Sequence, residues 1–100
     1  MTIYICCVSG FSSSILARNL ENWLKERMDS EVLVESASYR TIKDEGEMAD
    51  IILLAPQLHW TKDELSSMFP TTPIFLIERL DYGLGKAEPV GRQILAMINH

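Results

Sequence analysis

The run Ile51-Ile52-Leu53-Leu54 is four bulky apolar residues without a polar interruption, and it constrains this chain more than any other stretch. A strand with one face in water alternates polar and apolar residues. An unbroken run that stops at Ala55-Pro56-Gln57 reads instead as a strand covered on both faces. Such strands sit in parallel sheets with helices above and below, so the rest of the chain should supply helices and strands in alternation. Ile74-Phe75-Leu76-Ile77, entered after Pro73, reads as a second buried run.

The flanking patterns fit that expectation. Residues 2–7, with Ile3-Tyr4-Ile5-Cys6-Cys7, read as a strand. From Ser13 to about Met28, Leu16, Leu20, Trp23, Leu24 and the stem of Arg27 recur at helical spacing. Ser12 is the expected N-cap, and Glu21 stands four residues before Lys25. Residues 31–37 carry Glu31 and Glu35 among Val32, Leu33 and Val34, which suits an edge strand. A short helix is expected over Thr41 to Ala49, capped by Thr41. Thr61-Lys62-Asp63-Glu64 has the form of a capping box, with Trp60 and Leu65 as its hydrophobic staple. Pro89 suits the first position of a last helix, whose buried stripe would be Val90, Ile94, Leu95 and Ile98. The order β-α-β-α-β-α-β-α, with right-handed crossovers, predicts an α/β fold: a four-stranded parallel sheet with helices on both faces.

One hundred residues, 47% of them hydrophobic, are expected to form a single domain over 1–100. No apolar run approaches the roughly 20 residues of a membrane span, and the start of the chain lacks the basic region of a signal peptide. Two adjacent cysteines make no disulfide framework, so a cytoplasmic location is expected. A net charge of −5 with no Lys/Arg cluster argues against nucleic acid and against insertion into or binding to an anionic membrane.

In such sheets ligands bind beyond the carboxyl ends of the strands, where the strand order reverses. Three stretches should meet there: Cys7–Ser14, Ala55–His59 and Glu78–Gly85. The first joins a strand to a helix through Val8, Ser9, Gly10, Phe11, Ser12, Ser13 and Ser14. Amides at the start of a helix favour an anion, either a phosphate or a thiolate. Gly10 permits close backbone approach, and the serines add hydroxyl donors without bulk. The pattern points to phosphate chemistry with Cys7 as the nucleophile. No Walker lysine and no G-x-G-x-x-G motif accompany it, so nucleotide binding is not indicated.

Cys7-Val8-Ser9-Gly10-Phe11-Ser12-Ser13-Ser14 after Ile3-Tyr4-Ile5 resembles the phosphocysteine loop of enzyme IIB components of the sugar phosphotransferase system, lactose/cellobiose type. Ala49-Asp50-Ile51-Ile52-Leu53-Leu54-Ala55-Pro56-Gln57 is similar to that family's third strand and its Gly-Pro-Gln turn, and Tyr82-Gly83 follows the fourth strand in the same way. The resemblance covers essentially the whole chain. It implies a phosphotransferase component in which a phosphohistidine on a IIA protein phosphorylates Cys7. Cys7 then passes the phosphoryl group to a sugar of the cellobiose, lactose or chitobiose class held by the membrane IIC permease. It implies that Val8 to Ser14 hold the phosphoryl group, that Pro56, Gln57 and Tyr82 form the rim, and that neither cofactor nor metal takes part. Two departures stand out: Ala55 replaces the usual glycine, and Cys6 replaces an ordinary apolar residue.

Two other readings keep the same fold. A regulatory IIB-like module would respond to the state of Cys7 without serving transport. A hydrolase similar to low-molecular-weight tyrosine phosphatases would need an arginine six residues after the cysteine, and Ser13 stands there. Elsewhere plainer readings hold. Cys6 is expected to be a buried small hydrophobe, since neighbours in a strand face opposite ways. His59 and His100 are no metal pair, and Asp44, Glu45, Glu47 and Asp50 read as a solvated face. Phe11 and Leu84 are candidate docking anchors.

Overall fold

The computed structural model describes residues 1–9 and 13–98. Gly10, Phe11 and Ser12, which include the expected N-cap and a docking candidate, and His100 lie outside the described residues. Four parallel strands form the sheet: β1 (Thr2–Cys7), β2 (Leu33–Ser38), β3 (Ile51–Leu54) and β4 (Ile74–Leu76). They lie in the order β2-β1-β3-β4. From β1 the chain first adds a strand on one side and then crosses to the other, so the order reverses between β1 and β3. The register runs from Thr2↔Leu33 to Cys7↔Ser38 on one side of β1 and from Ile3↔Ile51 to Cys6↔Leu54 on the other.

The side-chain period of two divides the core into two layers. Ile3, Ile5, Ile51 and Leu53 face α1 (Ser14–Lys25) and α5 (Ala87–Ile98), meeting Leu16, Leu20, Leu24, Val90 and Ile94. Tyr4, Cys6, Ile52 and Leu54 face α2 (Tyr39–Glu45) and α3 (Lys62–Met68), meeting Ile42 and Leu65. All four residues of β3 are buried, as the unbroken apolar run required. Full burial of each such side chain is worth roughly 1.5–3 kcal/mol, so these layers hold the strand ends in place. α1 and α5 approach so closely that a Cβ built on Gly91 would lie 2.3 Å from the Trp23 ring.

β2 takes the expected edge position, beginning at Leu33 rather than residue 31. The Glu21 carboxylate accepts the Val34 N–H at 2.8 Å.

Other boundaries depart from expectation, each for a local reason. α1 ends at Lys25, short of Met28, and Ser13 holds the N-cap position. α2 starts at Tyr39, because Ser38 and Thr41 cap reciprocally: the Ser38 hydroxyl accepts the Thr41 N–H at 3.0 Å and the Thr41 hydroxyl accepts the Ser38 N–H at 3.0 Å. Thr41 is therefore the third helical residue, not the cap. A separate 3-10 turn, Gly46–Met48, follows Glu45.

The Thr61 capping box does not form. Pro56–Thr61 is a 3-10 segment running straight into α3, and the Thr61 hydroxyl donates to the Leu58 carbonyl at 2.7 Å. Trp60 leaves Leu65 alone in the core and packs its ring on Tyr39 at 5.2 Å. The fourth apolar run is an edge strand of three residues with Leu76 40% exposed, so it is not covered on both faces. A short helix, α4 (Arg79–Gly83), occupies what reads as a loop. α5 begins two residues before Pro89, whose missing N–H falls within the unpaired first turn; Ile98 leaves the buried stripe and is exposed.

Candidate functional site

β1 and β3 end side by side at the reversal point. The Ala55 N–H donates to the Cys6 carbonyl at 2.9 Å, which holds the start of the Pro56-Gln57 turn against the end of β1. Cys7 is the last residue of β1. Strand alternation sends Cys6 to the α2–α3 side, among Tyr4, Ile52 and Leu54, and Cys7 to the side of Ile3 and Ile5 beneath α1.

The Cys7 sulfur lies 3.4 Å from the Ser13 hydroxyl oxygen. Both residues are closed to solvent, Cys7 at 1% exposure and Ser13 at 0%. Burial, and then the charge of Cys7 beside it, push the Cys6 thiol up to about 12, so Cys6 stays protonated and unreactive at neutral pH. The two thiols are chemically separated although adjacent in sequence. The two are not joined in a disulfide.

The expected site residues that are described lie after β1, after β3 and after β4. Val8 and Ser9 continue from Cys7 on the surface, with Val8 66% exposed. Ser14 opens α1 and is exposed. Pro56 is half-buried and Gln57 exposed at the neighbouring turn. Tyr82 lies in α4, half-buried against the α1–α5 layer of the core. The turn after it is tied to α1 by the Asn19 side chain, which donates to the Gly85 carbonyl at 2.9 Å. Gly85 has φ +63°, the left-handed region where glycine costs least, and a Cβ there would stand 3.4 Å from Ile15.

Asn19 was not singled out in the sequence. Its only signal is an amide within the apolar spacing of α1. A cleft of about 330 Å³ lies close by, between β4, α4 and α5, lined by Leu53, Ile77, Glu78, Asp81, Val90 and Gln93. The acidic stretch belongs elsewhere. The Asp50 carboxylate accepts the Thr2 N–H at 2.7 Å and fixes the start of β1, far from its carboxyl end. His59 is exposed on the 3-10 segment. Among the described residues no three His, Cys, Asp or Glu side chains are placed to hold a metal ion, and no helix is long and apolar enough to cross a membrane.

Where a tyrosine phosphatase carries its arginine, this site presents a serine hydroxyl turned to the sulfur. That exchange removes the bidentate clamp for a phosphoryl transition state and keeps a small donor.

Comparison with known proteins agrees with this geometry. The family model of the phosphotransferase system lactose/cellobiose-specific IIB subunit matches residues 2–90. The lactose-specific IIB component domain of the phosphoenolpyruvate:carbohydrate phosphotransferase system from Streptococcus pneumoniae superposes with a TM-score of 0.77 at 22% identity, over 97% of this chain and 95% of that one. At that identity it speaks for the fold alone. The cellobiose-specific IIB component from Borrelia burgdorferi superposes with a TM-score of 0.74 at 28% identity, over 99% of this chain and 92% of that one. The chain belongs to the lactose/cellobiose-specific IIB subunit family, phosphotransferase components of sugar uptake that work with IIA and IIC partners.

Proposed function

We propose that this protein is a cytoplasmic phosphocysteine carrier. In the first step the Cys7 sulfur attacks the phosphorus of a IIA phosphohistidine. The S–P bond forms, the N–P bond breaks, and the thiol proton ends on the departing imidazole. In the second step a hydroxyl of a sugar held by the IIC permease attacks the same phosphorus. The O–P bond forms, the S–P bond breaks, and the hydroxyl proton returns to the sulfur. The loop from Val8 to Ser14, through Ser9, Gly10, Phe11, Ser12 and Ser13, is assigned the phosphoryl oxygens, whose charge spreads during transfer. Pro56, Gln57 and Tyr82 are assigned the rim. The sugar is of the cellobiose, lactose or chitobiose class.

The observation that carries this reading is the position of Cys7. It ends an interior strand at the reversal of strand order, one loop before a helix that has no acidic residue in its first turn. Intact-protein mass spectrometry tests it, after incubation with phosphoenolpyruvate, the general phosphotransferase proteins and a IIA partner. One phosphoryl mass is expected on the wild type and on Cys6→Ser, and none on Cys7→Ser. A phosphoryl group that persists in Cys7→Ser, or a wild type that takes none from any IIA donor, would remove the carrier reading.

A further inference from the structure

Ser13 stands at the N-cap of α1 without capping it. An N-cap residue ordinarily has an extended backbone, which aims its side-chain oxygen at the amides of the first turn. Ser13 has φ −94° and ψ 0°, and its hydroxyl makes no bond to the helix. That hydroxyl lies instead 3.4 Å from the Cys7 sulfur, sealed from water together with it. In the thiol form either atom can donate. Once the sulfur is a thiolate it can only accept, so the hydroxyl must donate. A hydrogen bond to a charged group in a closed site is stronger than one between neutral groups.

Resting on the reading of Cys7 as the phosphorylated residue, we propose that Ser13, besides its place in the loop assigned the phosphoryl oxygens, is a positioning residue for the sulfur. Its O–H donates to the Cys7 thiolate both as it attacks and as it leaves. In the loading step the donor stabilises the thiolate before the S–P bond forms and the N–P bond of the phosphohistidine breaks. In the unloading step the sulfur takes the electron pair of the breaking S–P bond as the sugar O–P bond forms, and the Ser13 hydroxyl, already hydrogen-bonded to it, makes the thiolate a better leaving group. The hydroxyl itself keeps its proton throughout. A serine in the place of the phosphatase arginine thereby favours reversible passage of the phosphoryl group.

The groups around Cys7 set the background against which a Ser13 replacement is read. Cys6 is held protonated beside Cys7. The β2 partner is the neutral Ser38, the first turn of α1 has no acidic residue, and the adjoining turn carries Pro56 and Gln57. Glu78 and Asp81 line the cleft that Leu53 shares on the same face of the sheet.

The test compares wild type, Ser13→Ala, Ser13→Gly and Ser13→Thr. Thiolate formation is followed by ultraviolet absorbance against pH, with Cys7→Ser as the blank for Cys6 and the tyrosines. Thermal melting confirms that each variant is folded. Ser13→Ala and Ser13→Gly are expected to raise the Cys7 titration midpoint by about one pH unit, a roughly tenfold loss of thiolate at fixed pH. Ser13→Thr, which keeps the hydroxyl, is expected to restore most of it. Return of the phosphoryl group from loaded protein to IIA should slow by about tenfold in the two hydroxyl-free variants, with half-saturation for IIA unchanged. Hydroxyl-free variants that titrate within twofold of wild type, or a threonine variant that tracks alanine, would overturn the proposal. Should no variant accept a phosphoryl group, the carrier reading fails, and the thiolate titration still decides the role of Ser13.

Discussion

Cys6 and Cys7 follow one another in the chain and face opposite layers of the core. Cys6 packs among Tyr4, Ile52 and Leu54, and the Cys7 sulfur meets the Ser13 hydroxyl at 3.4 Å on the other side. Their chemistry diverges accordingly, and alkaline stability is where the difference can be read. The folded state holds the Cys6 thiol up at about 12 against an ordinary value of 9.0. Above pH 9 the unfolded chain releases this proton and the folded chain keeps it. The stabilisation is complete below the unfolded value and is lost as pH rises toward the folded one, at a slope of up to about 1.4 kcal/mol per pH unit. Tyr4, raised by burial and then by Glu45 and Glu35, acts in the same direction. Urea midpoints measured from pH 8 to 11 should therefore fall, and Cys6→Ala should fall less steeply. Equal slopes would remove Cys6 from the account.

Acid stability should carry the opposite sign through Glu21. The Val34 N–H, helped by Lys25 and opposed by burial, holds this carboxyl below the usual carboxylate range. Its contribution is present above the unfolded value and is lost as pH falls through the folded one. At neutral pH Glu21→Ala should cost about 1 kcal/mol in urea unfolding, the size of one hydrogen bond to a charged acceptor partly open to water. The loss should shrink as pH is lowered. A constant difference at all pH values would mean that Glu21 acts only by packing.

Gly91→Ala should be among the most damaging single-methyl additions in this chain. The new Cβ would fall 2.3 Å from Trp23, whose ring also carries the Arg27 guanidinium at 3.9 Å from its centroid. The ring has little room to yield, so a loss of about 1–3 kcal/mol is expected. In a Trp23→Leu background the same alanine should cost far less, a coupling that a double-mutant cycle measures.

The reciprocal cap of α2 predicts a smaller effect. Ser38→Ala removes the acceptor for the Thr41 N–H and should destabilise the protein by about 1 kcal/mol. Asparagine at the same position should recover most of this loss in thermal melting.

The layered α/β plan was legible because Ile51–Leu54, bounded by the Ala55-Pro56-Gln57 turn, suits a strand covered on both faces and because the apolar spacing of α1 is long enough to define a face. The edge strand was legible from the charges of residues 31–37. Local competition hid the rest. Both Thr41 and Thr61 have the composition of caps. One is the far half of a box begun by Ser38, and the other bonds backward to Leu58, a choice made by the path of the chain and not by residue type. Ile74–Ile77 reads like Ile51–Leu54, but its outer side ends the sheet, and hydropathy does not record which run has a neighbour. At the site, the place of Cys7 at the end of β1 was visible from the strand pattern. That Ser13 turns to the sulfur rather than to its own helix depends on two backbone angles, and Asn19 depends on a turn 66 residues away.

The Glu21–Val34 bond also bears on how these molecules meet one another. β2 ends the sheet, and an outer strand with open amides is a template on which a second chain can add a strand of its own. Here a carboxylate from the overlying helix already occupies the amide near the start of that strand. The molecule thus carries its own stopper against sheet extension, placed at the Val34 end of β2. At that amide the edge is closed by a side chain that belongs to neither the core nor the cysteine site.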